Sequence, residues 1–265
     1  TGDDLGNPGP DFIHGWGRIN ARRAYDIIAN NQYLDATISN GGTNTHNITV
    51  PAGVEQVRIM VLWTDYEGAT SASPALVNDI NMDVTDPNPT NYNPWVLNPA
   101  PNATTLNQPA VRGVDNLNNM EQVTIDNPTA GTHVVTVNGF SIPQGPQKYY
   151  LVYEFLVDEV VLTYPIGGEG FDPNVDETIR WDSYGATGNF TLEYSTNNGT
   201  SWNTIASGIN SNNRSYDWNV PNVVTGQALV RVTRGALTSQ SHQNFSIIGV
   251  PTGLSVNYAC PDSME

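Results

Sequence analysis

The sequence predicts an all-β protein built as two β-sandwiches in series, with one short helix near the N-terminus. Three observations predict it. Apolar residues recur at every second position in many short runs, and clusters of Pro, Gly and Asn separate those runs. After Asp158 the strand pattern begins again without repeating the first half. At 265 residues the chain is long enough to bury two cores.

The helix comes first. Asn20 is a good N-cap, and Ala21, Ala24, Tyr25 and Ile28 then fall on one face at spacings of three and four, with Ile19 placed to staple onto Ala24. Asn30 and Asn31 end it, because Asn is a poor interior residue and tolerates the left-handed conformation. From Asp35 the period changes to two. The clearest strand is Val57–Trp63, where Val57, Ile59, Val61 and Trp63 share one face, while Met60 and Leu62 make the other partly apolar and imply a central strand. Further strands follow at Asn47–Val50, Asp79–Thr85, Gln122–Asp126, Thr132–Val137 and Tyr149–Val157. The stretch from Asp86 to Asn119 reads as a long loop rich in Pro and Asn, anchored by Trp95 and Leu97.

The second module starts with the run from Val160 and continues with strands at Thr178–Trp181, Phe190–Ser195, Trp202–Ala206, Tyr216–Trp218, Ala228–Thr233 and Asn244–Ile248. That spacing predicts an immunoglobulin-like sandwich. From Val250 the chain reads as a linker entering a new strand. The expected organisation is therefore 1–34 an N-terminal piece, 35–157 the first sandwich, 158–249 the second, and 250–265 a linker and the start of a further module.

Composition narrows the partners. Asp and Glu number 26 against 10 Lys and Arg, a formal charge of −16, so a phosphate backbone would meet like-charge repulsion and nucleic acid is excluded as a partner class. Lys148 is the only lysine, and with the abundance of Asn, Gly, Thr and Pro this composition fits an exported, extracellular protein. Cys260 is the only cysteine, so no internal disulfide forms, and it reads as an ordinary strand residue. No run of apolar residues is long enough for a membrane span. Thr1-Gly-Asp-Asp lacks the basic and apolar regions of a signal peptide, and both ends read as cuts within a longer polypeptide.

The segment from Asp3 to Ala24 resembles the closing part of a subtilase catalytic domain. The family's G-x-G-x-(I/V)-N-A pattern, which comes shortly after the helix of the nucleophilic serine, is matched by Gly15, Gly17, Ile19, Asn20 and Ala21. Val61–Asp65, Leu76–Ile80, Val114–Gln122 and Gly131–Val137 extend the resemblance to the β-sandwich appended to several secreted subtilases, related in plan to the P domain of proprotein convertases. It implies a jelly roll over 35–157 that packs on the protease domain and supports its stability or maturation. The second sandwich resembles the immunoglobulin- or fibronectin-type repeats of long secreted bacterial enzymes, and 250–265 resembles the first strand of another.

A subtilase needs a serine nucleophile, a histidine base and an orienting aspartate, with donors for the oxyanion. The sequence does not assemble that set, so the fragment is expected to be non-catalytic. Gly68–Ser73 superficially resembles the family's nucleophile motif, but it follows a strand and precedes Pro74, which reads as a loop. His14, His46, His133 and His242 lie far apart and lack the family's surrounding motif; His14 is expected to pack or hydrogen-bond near the protease core.

Calcium is the sharper expectation. Hard cations take several oxygen ligands from converging loops, and Asp65, Asn78, Asp79, Asp83, Asp115, Asn116 and Glu121 stand near predicted strand ends, with Asp65, Asp79 and Glu121 favoured. Some appended subtilase jelly rolls hold calcium, and the resemblance adds to that expectation. Against it stands the ordinary use of Asp and Asn in turns. In the second module Ser195–Trp202 fits the S-x-D-x-G-x-x-W hairpin called an Asp-box, with Asn197 in the acidic place. There Gly199 allows the turn, Ser195 and Asn197 bond across it, and Trp202 is expected to fold into the apolar layer. Trp181 and Trp218 read as core aromatics rather than a sugar platform. Six Asn-x-Ser/Thr sequons, at Asn47, Asn102, Asn189, Asn198, Asn213 and Asn244, are what an Asn- and Thr-rich chain produces, and glycosylation is not inferred from them.

The sequence therefore carries three readings. The first is a non-catalytic accessory region of a secreted subtilisin-like serine endopeptidase, partnered by the protease domain of the same polypeptide. The second is a module that binds carbohydrate, cell surface or protein substrate on an exported hydrolase. The third is a spacer with no binding role.

Overall fold

The computed structural model describes residues 2–185 and 188–249. The expectations for Cys260 and for a further module over 250–265 lie outside the described residues. The chain divides into two compact units, Thr1–Val157 and Asp158–Glu265, whose regular structure among the described residues is strands, with two short helices in the first. The first thirty residues fold with the first unit rather than as a body of their own.

In chain order unit 1 contains β1 (Gly2–Asp3), β2 (Arg18–Ile19), α1 (Ala21–Ala29), β3 (Tyr33–Ile38), β4 (Thr43–Val50), β5 (Val54–Leu62), β6 (Asp79–Thr85), β7 (Asn91–Tyr92), β8 (Trp95–Val96), α2 (Ala103–Leu106), β9 (Val111–Arg112), β10 (Met120–Asp126), β11 (Gly131–Ser141) and β12 (Gln147–Val157). One sheet runs β10-β5-β12-β3 and the other β4-β11-β6-β7. The steps from β3 through β6 and from β10 through β12 each cross from one sheet to the other, as in a jelly roll. β5 is central, as its two apolar faces require, with Val61 opposite both Glu121 and Leu151. Val57, Ile59, Val61 and Trp63 are buried and meet Ile80, Val84, Val135 and Val137 from the facing sheet. Each such aliphatic side chain contributes about 1.5–3 kcal/mol by leaving water. Tyr149 crosses the core to place its hydroxyl 2.7 Å from His46 Nε2 and 2.9 Å from Asn44 Nδ2.

The helix forms where the sequence places it, but its buried face differs. Asn20 caps it by accepting from Arg23 N at 3.0 Å, and Asn31 leaves it with φ of 53°. Arg23 and Ile27 are the buried residues, whereas Tyr25 is 69% exposed, Ile28 64% and Ile19 81%. Ile19 therefore does not staple the helix. The reason is that the helix is apolar on two sides, and the ion pair of Arg23 with Asp3 helps to select the side that turns inward.

The long stretch 86–119 is not featureless: β7, α2 and the β8–β9 ribbon lie within it. Trp95 pins it. Its Nε1 donates to Thr124 Oγ1 at 3.0 Å, the Arg112 guanidinium lies 3.6 Å from the ring centroid, and Gly9 packs so close that a Cβ would sit 2.9 Å from the indole. Gly9 also has φ of 78°, so no other residue fits there without strain.

Unit 2 contains β13 (Glu159–Tyr164), β14 (Gly170–Phe171), β15 (Asp176–Tyr184), β16 (Phe190–Ser195), β17 (Asn203–Ile209), β18 (Ser215–Asn219), β19 (Thr225–Arg234), β20 (Leu237–Gln240) and β21 (Phe245–Ile247). β13-β15-β18 faces β14-β21-β19-β16-β17, with β20 on β19, in an immunoglobulin-like sandwich. β14 and β21 run parallel, and the bonding continues beside them: Gly168 N donates to Asn244 O at 2.9 Å, Ser246 N to Glu169 O at 2.8 Å and Ile248 N to Phe171 O at 2.8 Å. The core is aromatic. Phe171, Trp181, Phe190, Trp218 and Phe245 are all buried, so Trp181 and Trp218 are core residues as expected. Arg234 is buried too, and its charge is met by Asp158, by Ser183 Oγ at 2.6 Å and by Tyr184 O at 2.8 Å.

Candidate metal centre

Asp65 and Asn78 stand near the two ends of the β5–β6 loop, Asp79 opens β6, Asp115 lies in the turn before β10, and Glu121 is in β10. Beyond β5 the chain loops out and returns at Val77, and the Asp65 carboxylate closes that loop. Its Oδ2 accepts from Val77 N at 2.7 Å and its Oδ1 from Asn78 N at 2.8 Å. Asn78 is fully buried and engaged elsewhere: Nδ2 donates to Gln144 O and to Gln147 Oε1, both at 2.7 Å, while Oδ1 accepts from Gln144 N at 3.2 Å. Trp63 Nε1 donates to the Asn78 carbonyl at 3.0 Å. Sequence reasoning missed the two glutamines, because they lie more than sixty residues away and only the fold brings them in.

Glu121 follows the inward alternation of β10 and is wholly buried. Its Oε2 accepts from Met82 N at 2.7 Å, on a side of β6 that β7 covers only at Val84 and Thr85. Among the described residues its Oε1 has no hydrogen-bond partner, and neither has Asp79 Oδ1. Burial is the main reason the Glu121 carboxyl is pushed up to about 9; the Met82 N–H counters it in part, while Asp115 and Asp79 raise it further. Asp79 is pushed up to about 6, again chiefly by burial and then by Asp115 and Asp65. Asp115 is buried and folds its own turn, accepting from Leu117 N at 2.8 Å and from Asn118 Nδ2 at 2.7 Å. Asp83 is raised by burial alone and Asn116 is exposed, so both stand apart from the electrostatic group.

Four of the expected ligands thus act on one another as charges, and two of them carry an unpartnered buried oxygen. Among the described residues, no three His, Cys, Asp or Glu side chains form a ready-made metal site. The orphaned Asp79 and Glu121 oxygens nevertheless suit a hard cation, which takes oxygen donors and would favour the ionised form of both groups. A cavity of about 220 Å³ lies alongside, lined by Asp11, Trp16, Trp95, Asp115, Asn118 and Met120.

The other singled-out residues have local roles. Gly68–Ser73 lies in the exposed β5–β6 loop, without a helix. His14 and His242 are exposed, His46 bonds Tyr149, and His133 is wholly buried with Nδ1 3.3 Å from Gly131 O. The Ser195–Trp202 hairpin bonds as expected. Gly199 N donates to Ser195 Oγ at 2.9 Å, Ser201 N donates to Asn197 Oδ1 at 3.0 Å, and Gly199 has φ of 80°. Trp202 departs from expectation: it is half-buried with the Arg231 guanidinium 4.2 Å from its ring, because the cation covers a face that the apolar layer leaves open.

No protein-family model matches the chain, and no curated protein matches it. Among solved structures, it is similar to the propeptide form of the lipase BlEst2 from Bacillus licheniformis, with 9% identity and a TM-score of 0.28, covering 79% of this chain and 39% of that one. The adhesin domain of Epf from Streptococcus pyogenes gives 9% identity and a TM-score of 0.29, covering 84% and 79%. The glycoside hydrolase domain of Endo-D from Streptococcus pneumoniae gives 7% and 0.24, covering 78% and 32%. Likenesses this distant do not say what the chain does.

Proposed function

We propose that the chain is the non-catalytic C-terminal accessory region of a secreted subtilisin-like serine endopeptidase, in which the jelly roll stabilises or presents the protease domain. The observation that carries this reading is the exposure of apolar residues in the segment that resembles the protease's closing turn and helix. Phe12 is 47% exposed, Ile13 72%, Ile19 81%, Tyr25 69% and Ile28 64%, all between positions 12 and 28. Apolar surface left in water forgoes about 25 cal/mol per Å², and exposed apolar side chains concentrated in one short segment mark a surface made to be covered. A protease domain seated on this segment would cover them, while Ile27 is turned inward and Arg23 ties the helix to Asp3. In the same reading calcium is held by Asp79 and Glu121, with Asp115 and Asp65 adding negative charge. The cation's part is to lock the β5–β6 loop and the turn before β10.

The test uses the parent polypeptide. Deleting residues 36–157 lowers its melting temperature or its yield of mature protease, while the 265-residue fragment neither hydrolyses casein nor reacts with a fluorophosphonate probe. A fragment that did both, or a deletion without effect on yield and melting, would end the proposal.

A further inference from the structure

Unit 2 has a groove of about 410 Å³ where the outer strands of its two sheets, β17 and β18, approach each other. Tyr194, Tyr216 and Trp218 line its apolar part, and Asp176, Asp217 and Asn219 its polar part. Tyr194 and Tyr216 are half-buried, and neither hydroxyl has a partner among the described residues. Trp218 is buried beneath, 5.6 Å from the Tyr194 ring centroid to centroid. The polar groups are fixed in advance: Asn219 Nδ2 donates to Asp176 Oδ1 at 2.8 Å, and Thr178 Oγ1 to Asp217 Oδ1 at 2.8 Å. Each carboxylate keeps a second oxygen, and Asn219 its carbonyl, to accept from a ligand.

We propose that this groove binds a neutral glycan. No lysine or arginine lines it, so sulfate, phosphate and uronate groups would meet only carboxylates in a chain of formal charge −16. Its volume falls in the range of about 300–1,000 Å³ typical of small-molecule sites. Two tyrosines offer an apolar face with a polar tip, which matches a sugar ring whose C–H face is apolar and whose edge is hydroxylated. The acceptors held by Asn219 and Thr178 lose little freedom on binding, which favours directional bonds to hydroxyls. An extended peptide fits less well. β17 pairs with β16 through two register shifts, at Phe190/Leu192 and Leu192/Glu193, and such bulges spoil an edge for strand addition. A basic side chain would gain little, because Asp176 and Asp217 are exposed and surface ion pairs contribute about 0–1 kcal/mol.

The test is calorimetric titration of the whole chain with cellohexaose, laminarihexaose, chitohexaose, xylohexaose and mannohexaose. One or more of them binds with Kd between about 10 µM and 1 mM. Tyr216→Ala weakens it at least about tenfold, a loss of about 1.4 kcal/mol. Because Tyr216 also packs on the core, the exposed pair Asp176→Ala and Asp217→Ala is tested in parallel; that double variant keeps the melting temperature and loses affinity. Failure of all five sugars at about 10 mM overturns the proposal. So does undiminished binding by the double variant, or binding of an oligolysine peptide in place of every sugar.

Discussion

The two units share a two-layer plan but hold it together differently. Unit 1 packs Val and Ile against Val and Ile and then buries carboxylates whose oxygens are not all met: Glu121 Oε1 and Asp79 Oδ1 stand without partners. Unit 2 packs five aromatic side chains together, and the charge it buries at Arg234 is met by Asp158, Ser183 and Tyr184. A buried charge costs several kcal/mol unless it is paired, so under the proposed reading the first unit would gain from an ion, while in the second the buried charge of Arg234 is already met.

The largest effect that would test this contrast is Phe245→Ala. Phe245 is buried against Phe171 and Trp218, and its truncation costs about 3–5 kcal/mol, read by denaturant unfolding. Hydrogen exchange should speed up across β19 and β21 while the amides of β5 and β12 keep their protection. Calcium should do the converse. At a hundredfold excess over Kd it stabilises unit 1 by about 2.7 kcal/mol and slows exchange in β6 and β10, leaving unit 2 unchanged. Glu121→Gln removes that response; a variant that kept it would place the ion elsewhere.

The same carboxylates set a pH dependence. Asp79 and Glu121 are pushed up to about 6 and about 9, so between their ordinary values and these the folded state holds more protons than the unfolded one. Calcium-free protein should therefore lose melting temperature as pH rises from the ordinary carboxylate range through about 6 and on to about 9. Saturating calcium, which needs both groups ionised, should abolish or reverse the slope. A smaller effect is expected of Tyr149→Phe, which removes the hydroxyl shared by His46 and Asn44 and costs about 1 kcal/mol. The smallest is Gly199→Ala in the unit 2 hairpin, about 1 kcal/mol or less by melting, through its φ of 80°.

Local pattern made much of this fold legible. Val57–Trp63 alternates with a period of two and is the inward face of a central strand, and Asn197-Asn198-Gly199 announces the hairpin that forms. Failures came where the deciding partner is distant or where two solutions look alike locally. The helix carries Ile27 on one side and Tyr25 with Ile28 on another, and the buried side depends on Asp3 and the sheet beneath. Within the candidate metal site, residue types and strand ends could be read, but not that Asn78 is held by Gln144 and Gln147, nor that Glu121 reaches across to Met82. Those contacts span 39 to 69 positions and exist only once the sheets close.

The parallel run of β14 beside β21 has a consequence for a module strung within a longer polypeptide. Tension drawing 158 and 249 apart pulls these two strands in opposite directions along their length. The bonds from Gly168, Ser246 and Ile248 are then loaded in shear together, instead of opening one by one from an end. Force applied at 158 would first load β13 against β15 and then reach this sheared pair.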